Sequence, residues 1–333
     1  MRASFPLSVR VTQAASTPQA VDSTLAFVFP GQGSQSVGML SELAALDPLV
    51  QACFEEAGEG ADADLWTLAQ QGPEERLNTT EFTQPALLAA GVAAWRLWHA
   101  RGGAMPGALA GHSLGEYTAL VAAGALSLVD AARLVRLRGQ LMQDAAPAGS
   151  GGMAAVLGAE DALVIEACEA VSSPGEVVVP ANFNSPGQIV IGGHAAAVDA
   201  ALVRLAEQGV RKAVKLAVSV PSHTPLMREA ADKLAVAMDD IAWQAPRLPV
   251  VQNVDARVHA EVADIRQALV RQLYLPVQWT GCVQALAGQG VERLVECGPG
   301  KVLAGLAKRI DKSLDARAIG TAGDFDKALG DWR

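Results

Sequence analysis

A Gly-His-Ser-Leu-Gly pentapeptide at residues 111–115 constrains this chain more than any other feature. The small apolar run 107–110 before it reads as a strand, and residues 116–123 after it read as a helix. A Gly-x-Ser-x-Gly turn between strand and helix is a nucleophile elbow. Its glycines let the backbone turn sharply without a Cβ clash, so the Ser113 hydroxyl stands exposed at the strand's end. The first N–H groups of the following helix then face the oxygen of whatever the serine attacks.

The surrounding pattern predicts an α/β fold. Residues 25–29 form a continuous apolar run ended by Pro30-Gly31, which reads as a buried strand of a parallel sheet. Helical spacing covers residues 83–99, with Pro85 placed in a first turn, and 128–143. A Pro- and Gly-rich break at 146–152 marks a linker. Beyond it strands at 153–157, 176–180, 188–191 and 212–218 interleave with helices at 161–171 and 195–207. Strand-helix-strand-strand-helix-strand is the ferredoxin-like order. Alternation then resumes through 248–251, 265–274 and 291–296. The division expected is therefore an α/β body over residues 25–148 and 222–333, interrupted by a subdomain over 149–221. Residues 1–24, rich in Ser, Thr, Ala, Pro and Gln, read as a flexible extension without the apolar core of a secretory signal.

Composition removes several function classes. The net charge of −9 argues against general nucleic-acid binding. No apolar run reaches the roughly 18 residues that span a bilayer. Cys53, Cys168, Cys282 and Cys297 are scattered, and no His-Glu-x-x-His occurs, so neither a metal site nor a disulfide framework is expected. Reduced core thiols point to a cytoplasmic protein.

A serine nucleophile needs a base, and the candidates are His99, His112, His194, His223 and His259. His223 lies in a turn-rich stretch where the insertion rejoins the body, at the cleft where a substrate would bind. The turn at Gly31-Gln32-Gly33 is either a plain tight turn or a second N–H donor for an oxyanion hole. Residues 296–301 fail the phosphate-loop spacing and read as a strand-to-helix turn. On residue pattern alone Arg138 reads as a solvated helix arginine, like Arg133 and Arg136.

Six ordered segments carry a wider resemblance: FVFPGQGSQSVGML, GHSLGEY, RLVRLRGQLM, NFNSPGQIVI, SVPSHTPLM and RQLYLPVQW. From about residue 25 to 311 the chain resembles the malonyl-CoA:acyl carrier protein transacylases. The resemblance implies an α/β-hydrolase-like body with a parallel sheet and an inserted ferredoxin-like α+β subdomain. It implies Ser113 as the acylated nucleophile, His223 as general base and acid, and Arg138 as the binder of the malonyl carboxylate. It gives the oxyanion hole to the N–H groups of Gln32 and Leu114, and the orienting of the imidazole to the Gln272 carbonyl. Gln84, Asn182 and Gln188 are expected to line the pocket. Two basic clusters, Arg211-Lys212 and Lys308-Arg309, are expected to dock the acidic carrier. The partners implied are malonyl-CoA and acyl carrier protein, with no nucleic acid, no membrane, no metal and no cofactor. Thr224-Pro225 departs from the small residues common after the family's histidine, which touches acyl specificity rather than chemistry. Runner-up readings are the acyltransferase component of malonate decarboxylase, a stand-alone polyketide acyltransferase, a plain esterase, and a catalytically silent carrier-docking subunit.

Overall fold

A computed structural model describes residues 20–147, 149–218 and 220–332. The apolar run becomes the core of β1 (Val21–Phe29), where Leu25 to Phe29 are wholly buried. A strand apolar on both faces needs cover on both, and β1 lies in the middle of its sheet. The order is β7 (Val250–Val251), β2 (Met105–Gly111), β1, β8 (Arg293–Glu296), β9 (Asp315–Ala318). Every neighbouring pair is parallel. Alternate β1 residues feed two cores. Leu25, Phe27 and Phe29 pack with the helix Thr80–Ala100, while Ala26 and Val28 pack with the helices Trp279–Gly288 and Val302–Ile310. The Phe27 ring meets Trp95 and Trp98 edge-on, each at 5.3 Å. Burying a ring of this kind stabilises by about 1.5–3 kcal/mol, and each edge contact adds about 0.5–1.5 kcal/mol.

The antiparallel sheet occupies the middle of the sequence: β3 (Gly151–Leu157), β4 (Val178–Ser185), β5 (Gln188–His194) and β6 (Lys212–Lys215). Its order is β4-β5-β3-β6, backed by the helices Asp161–Val171 and Ala195–Glu207 over a separate core that includes Val156, Ile189 and Leu205. That is the ferredoxin-like arrangement read from the element order. The fold is thus α/β, with a parallel body and an antiparallel subdomain.

Several boundaries differ from expectation. Residues 1–19, most of the expected extension, lie outside the described residues. Residues 21–24, placed in that extension, are strand: Val21 pairs with Met105, and Arg293 binds Asp22 and Thr24. Those polar contacts replace the apolar pattern on which a strand is read. The helix Thr80–Ala100 starts before residue 83, so Pro85 lies inside it rather than in its first turn. Asn182 to Ser185, expected as loop, belong to β4, which register shifts interrupt twice. Their polarity reflects a strand whose side chains meet the body and a cavity instead of a core. Finally β6 ends at Lys215 rather than 218: its ladder pairs it with Ala154 to Leu157, and past one more bond, Leu216 N–H to the Met153 carbonyl at 2.9 Å, the chain leaves β3.

Candidate active site

The carboxyl ends of β1 and β2 stand side by side, and the elbow caps the second. Ser113 has φ 52°, in the left-handed region that costs an L-residue energy. The flanking glycines are required by close approach. A Cβ on Gly111 would lie 1.9 Å from the Gly115 carbonyl, and one on Gly115 would lie 2.0 Å from the Phe29 oxygen. Behind the turn Asn253, just past β7, accepts from the Ser113 N–H at 2.7 Å and donates to the Gly111 carbonyl at 2.7 Å. The strained serine is therefore held from both sides.

Ser113 Oγ lies 2.7 Å from His223 Nε2, and His223 Nδ1 lies 2.7 Å from the Gln272 carbonyl oxygen. A carbonyl only accepts, so Nδ1 carries the proton and Nε2 presents a lone pair to the serine hydroxyl. His223 too has a left-handed backbone, φ 62°, pinned by its N–H donating to the Leu273 carbonyl at 3.0 Å. Burial, and secondarily the nearby Arg138 charge, push the imidazole down to about 3, so it is neutral at physiological pH.

Arg138 is not a solvated helix arginine: it is 1% exposed. Its helix, Leu128–Asp144, starts at a Ser127 cap and turns this residue inward, whereas Arg133 and Arg136 pair with Asp130 and Glu81 nearer the surface. Nη1 donates to Gln84 Oε1 at 2.8 Å; Nη2 donates to Gln272 Oε1 at 3.0 Å and to Ser113 Oγ at 3.2 Å. The guanidinium stands 5.6 Å from the Tyr117 ring centroid. Burial drives its proton affinity below the ordinary arginine value, with Tyr117 and Glu116 opposing that shift.

A cavity of about 490 Å³ opens over this group, between the parallel body and the antiparallel subdomain. Gln32, Ser113, Leu114 and Arg138 line it from one side, Asn182 and Gln188 from the other. The N–H groups of Gln32 and Leu114 have no hydrogen-bond partner among the described residues. Of the expected lining residues, Gln84 stands apart: it is wholly buried behind Arg138, not on the cavity wall. Arg309 donates to Gln188 Oε1 at 2.7 Å, bridging the two subdomains at the rim. Lys308, Arg211 and Lys212 are exposed. One ladder row carries Gln188, Leu157 and Lys212 on adjacent strands, so the two basic clusters share an end of the sheet.

Residue patterns did not single out Glu116 or Asn253. Glu116 Oε2 accepts from Asn253 N at 2.9 Å and from Gln272 Nε2 at 3.0 Å, and burial pushes the carboxyl up to about 7. A charged residue opening an otherwise apolar helix, and an amide just past a parallel strand's carboxyl end, were the available signals. His112, beside Ser113, turns away to Asn184 at 2.8 Å and packs on Trp279.

The acyl transferase domain family matches residues 26–331. A malonyl CoA-acyl carrier protein transacylase of Salmonella typhimurium is 56% identical over 304 residues, which is 91% of this chain and 98% of that protein. Among solved structures, a malonyl-CoA:acyl carrier protein transacylase from Xanthomonas oryzae pv. oryzae superposes with a TM-score of 0.93. It is 72% identical and covers 94% of this chain and 99% of its own. A complex of a type II PKS acyl-carrier protein with its malonyl-transacylase contributes a chain with TM-score 0.91. That chain is 51% identical, with 93% of this chain and 100% of that one covered.

Proposed function

The chain belongs to the acyl transferase family, matched over nine tenths of its length by malonyl-CoA:acyl carrier protein transacylases, and we propose that Ser113 is the residue on which it carries the malonyl group. The enzyme transfers malonyl from malonyl-CoA to the phosphopantetheine thiol of acyl carrier protein, the supply step of fatty-acid synthesis. His223 Nε2 takes the hydroxyl proton as Ser113 Oγ bonds to the thioester carbonyl carbon. The N–H groups of Gln32 and Leu114 receive the developing oxyanion. The carbon–sulfur bond breaks, and His223 returns the proton to the departing coenzyme A thiolate. The carrier thiol then gives its proton to His223, attacks the ester, and leaves as malonyl thioester while Ser113 regains its proton.

One observation carries these roles: a buried guanidinium and a neutral imidazole converge on the same serine oxygen, at 3.2 and 2.7 Å. A dyad alone suits any ester. A carboxylate-binding fork beside it suits an acyl group that ends in a carboxylate, held bidentately so that its carbonyl meets the nucleophile. A plain esterase has no use for that charge, and a silent docking subunit has none for the dyad. Intact-mass analysis after exposure to malonyl-CoA tests the roles. Wild type gains one malonyl group, mapped to Ser113, and Ser113→Ala gains none; an adduct elsewhere defeats the assignment.

The chain division expected above, with 149–221 inserted into the body, is part of this reading, supported by an antiparallel sheet confined to Gly151–Lys215. Carrier docking on Arg211, Lys212, Lys308 and Arg309 is supported by their shared rim and by the acidity of the rest of the chain. A cytoplasmic location fits four buried free thiols. No helix among the described residues is long and apolar enough to cross a membrane.

A further inference from the structure

Gln272 works twice in this site, and its two uses are separable. Its main-chain carbonyl faces His223, while its side-chain amide lies among Arg138, Ser113 and Glu116. The amide has two chemically opposite ends. Arg138 has only donors, so it needs the oxygen end; turned the other way, the amide would set NH₂ against guanidinium and leave Nη2 without that partner. Something must fix the choice.

Glu116 meets that need. Its carboxyl is wholly buried in the first turn of the elbow helix, Gly115–Ala122, and Oε2 accepts from both Gln272 Nε2 and the Asn253 N–H. Oε1 has no partner among the described residues. Oε2 already receives two N–H donors, so a proton on this carboxyl belongs on the unpartnered Oε1, and Oε2 accepts with or without it. It therefore demands the NH₂ end of Gln272, and the same NH₂ donates to the Ser113 carbonyl at 2.9 Å. The oxygen end is left pointing at Arg138 Nη2.

We propose that Glu116 is a positioning residue for malonyl selectivity: by fixing the amide polarity of Gln272, it fixes where the Arg138 guanidinium stands relative to Ser113. The assignment rests on the roles proposed above for Ser113 and Arg138. Glu116 touches no substrate; it acts through one rigid amide.

The test compares acylation of Ser113 by malonyl-CoA and acetyl-CoA in Glu116→Gln, Gln272→Met and the double variant. Glu116→Gln keeps the shape but offers either end to Gln272, so the NH₂ end is held by the Ser113 carbonyl alone and the hold on the amide polarity is weakened. Gln272→Met keeps the carbonyl that faces His223 and removes the amide. Each single variant should lower the malonyl-over-acetyl ratio of kcat/KM roughly 10-fold or more, the scale of a misplaced charge-assisted hydrogen bond, mainly through KM for malonyl-CoA. In the Gln272→Met background, Glu116→Gln should change that ratio no further, because the relay is already cut. A role confined to fold stability would lower Tm and slow both substrates alike. That outcome overturns the proposal, as does a Glu116→Gln effect of equal size in both backgrounds. Should Glu116→Gln fail to fold, Gln272→Met decides alone: an unchanged ratio there refutes the relay. A wild-type malonyl adduct away from Ser113 would instead defeat the underlying roles, so the two failures are told apart.

Discussion

Ser113 and His223, 110 residues apart in sequence, both hold left-handed backbones, with φ of 52° and 62°, and their Oγ and Nε2 atoms stand 2.7 Å apart. Two separate strains thus bring one hydroxyl and one imidazole nitrogen together. Each local distortion persists only because neighbours hold it: Asn253 and the glycine contacts at the elbow, the Leu273 carbonyl at the histidine.

The serine strain is measurable. Ser113→Gly and Ser113→Ala both lose the hydroxyl and should both lose the malonyl adduct. Glycine alone relaxes at φ 52°, so Ser113→Gly should be more stable than Ser113→Ala by about 1–2 kcal/mol. Chemical denaturation of the pair checks this; equal midpoints would mean the elbow stores no strain.

Selectivity should reside in Arg138. Arg138→Ala is expected to weaken malonyl transfer relative to acetyl acylation of Ser113 by on the order of 2–4 kcal/mol, since only malonyl carries the carboxylate. Equal losses for the two substrates would disprove it. The same change removes a positive charge that helps depress His223. The acid limb of acetyl acylation should therefore move to higher pH in Arg138→Ala than in wild type.

Stability should fall in acid. His223 and His99 are held near 3 and 4 in the folded chain, chiefly by burial, against an ordinary value of 6.5. Below pH 6.5 the unfolded chain binds more protons than the folded one, so stability is lost as pH drops through that window. Glu116, raised to about 7 from an ordinary 4.5, acts oppositely between those values. Among the described residues neither ring nitrogen of His99 has a hydrogen-bond partner, and the ring packs edge-on against Trp95 at 4.2 Å. His99→Phe should thus narrow the gap between Tm at pH 7 and pH 5; an unaltered gap would exclude His99 as a source.

Carrier docking should be electrostatic and local. Reversing Lys212 and Lys308 to Glu should raise KM for the carrier while serine acylation by malonyl-CoA changes less. The wild-type carrier KM should climb with salt, because exposed charges are screened over about 8–10 Å at physiological ionic strength. Salt-insensitive, identical KM values for the two proteins would put the carrier elsewhere.

Local signals made much of this legible in sequence. The elbow glycines, the β1 apolar run and the linker before β3 each announce themselves within ten residues. What stayed hidden depends on distance. Glu116 meets Gln272 across 156 positions and Asn253 across 137, so its partners could not be read from its neighbours; the one local signal was a charge opening an otherwise apolar helix. Arg138 read as solvated until its helix was placed against Gln84 and Gln272. The segment 182–185 read as loop because its polar residues and two register shifts against β5 break the apolar pattern of a strand; its second contact is distant, the Phe183 N–H donating to the Val277 carbonyl at 2.9 Å.

The seat of His223 has a consequence for how the protein is made. Ser113 is translated early, but Gln272, whose carbonyl accepts from His223 Nδ1, comes 159 residues later. A ribosome that has extruded β1, β2 and the elbow has produced a serine with no oriented imidazole beside it. On the roles proposed for Ser113 and His223, acylation waits until Gln272 has emerged and docked, so a chain ending before that residue should take up no malonyl group.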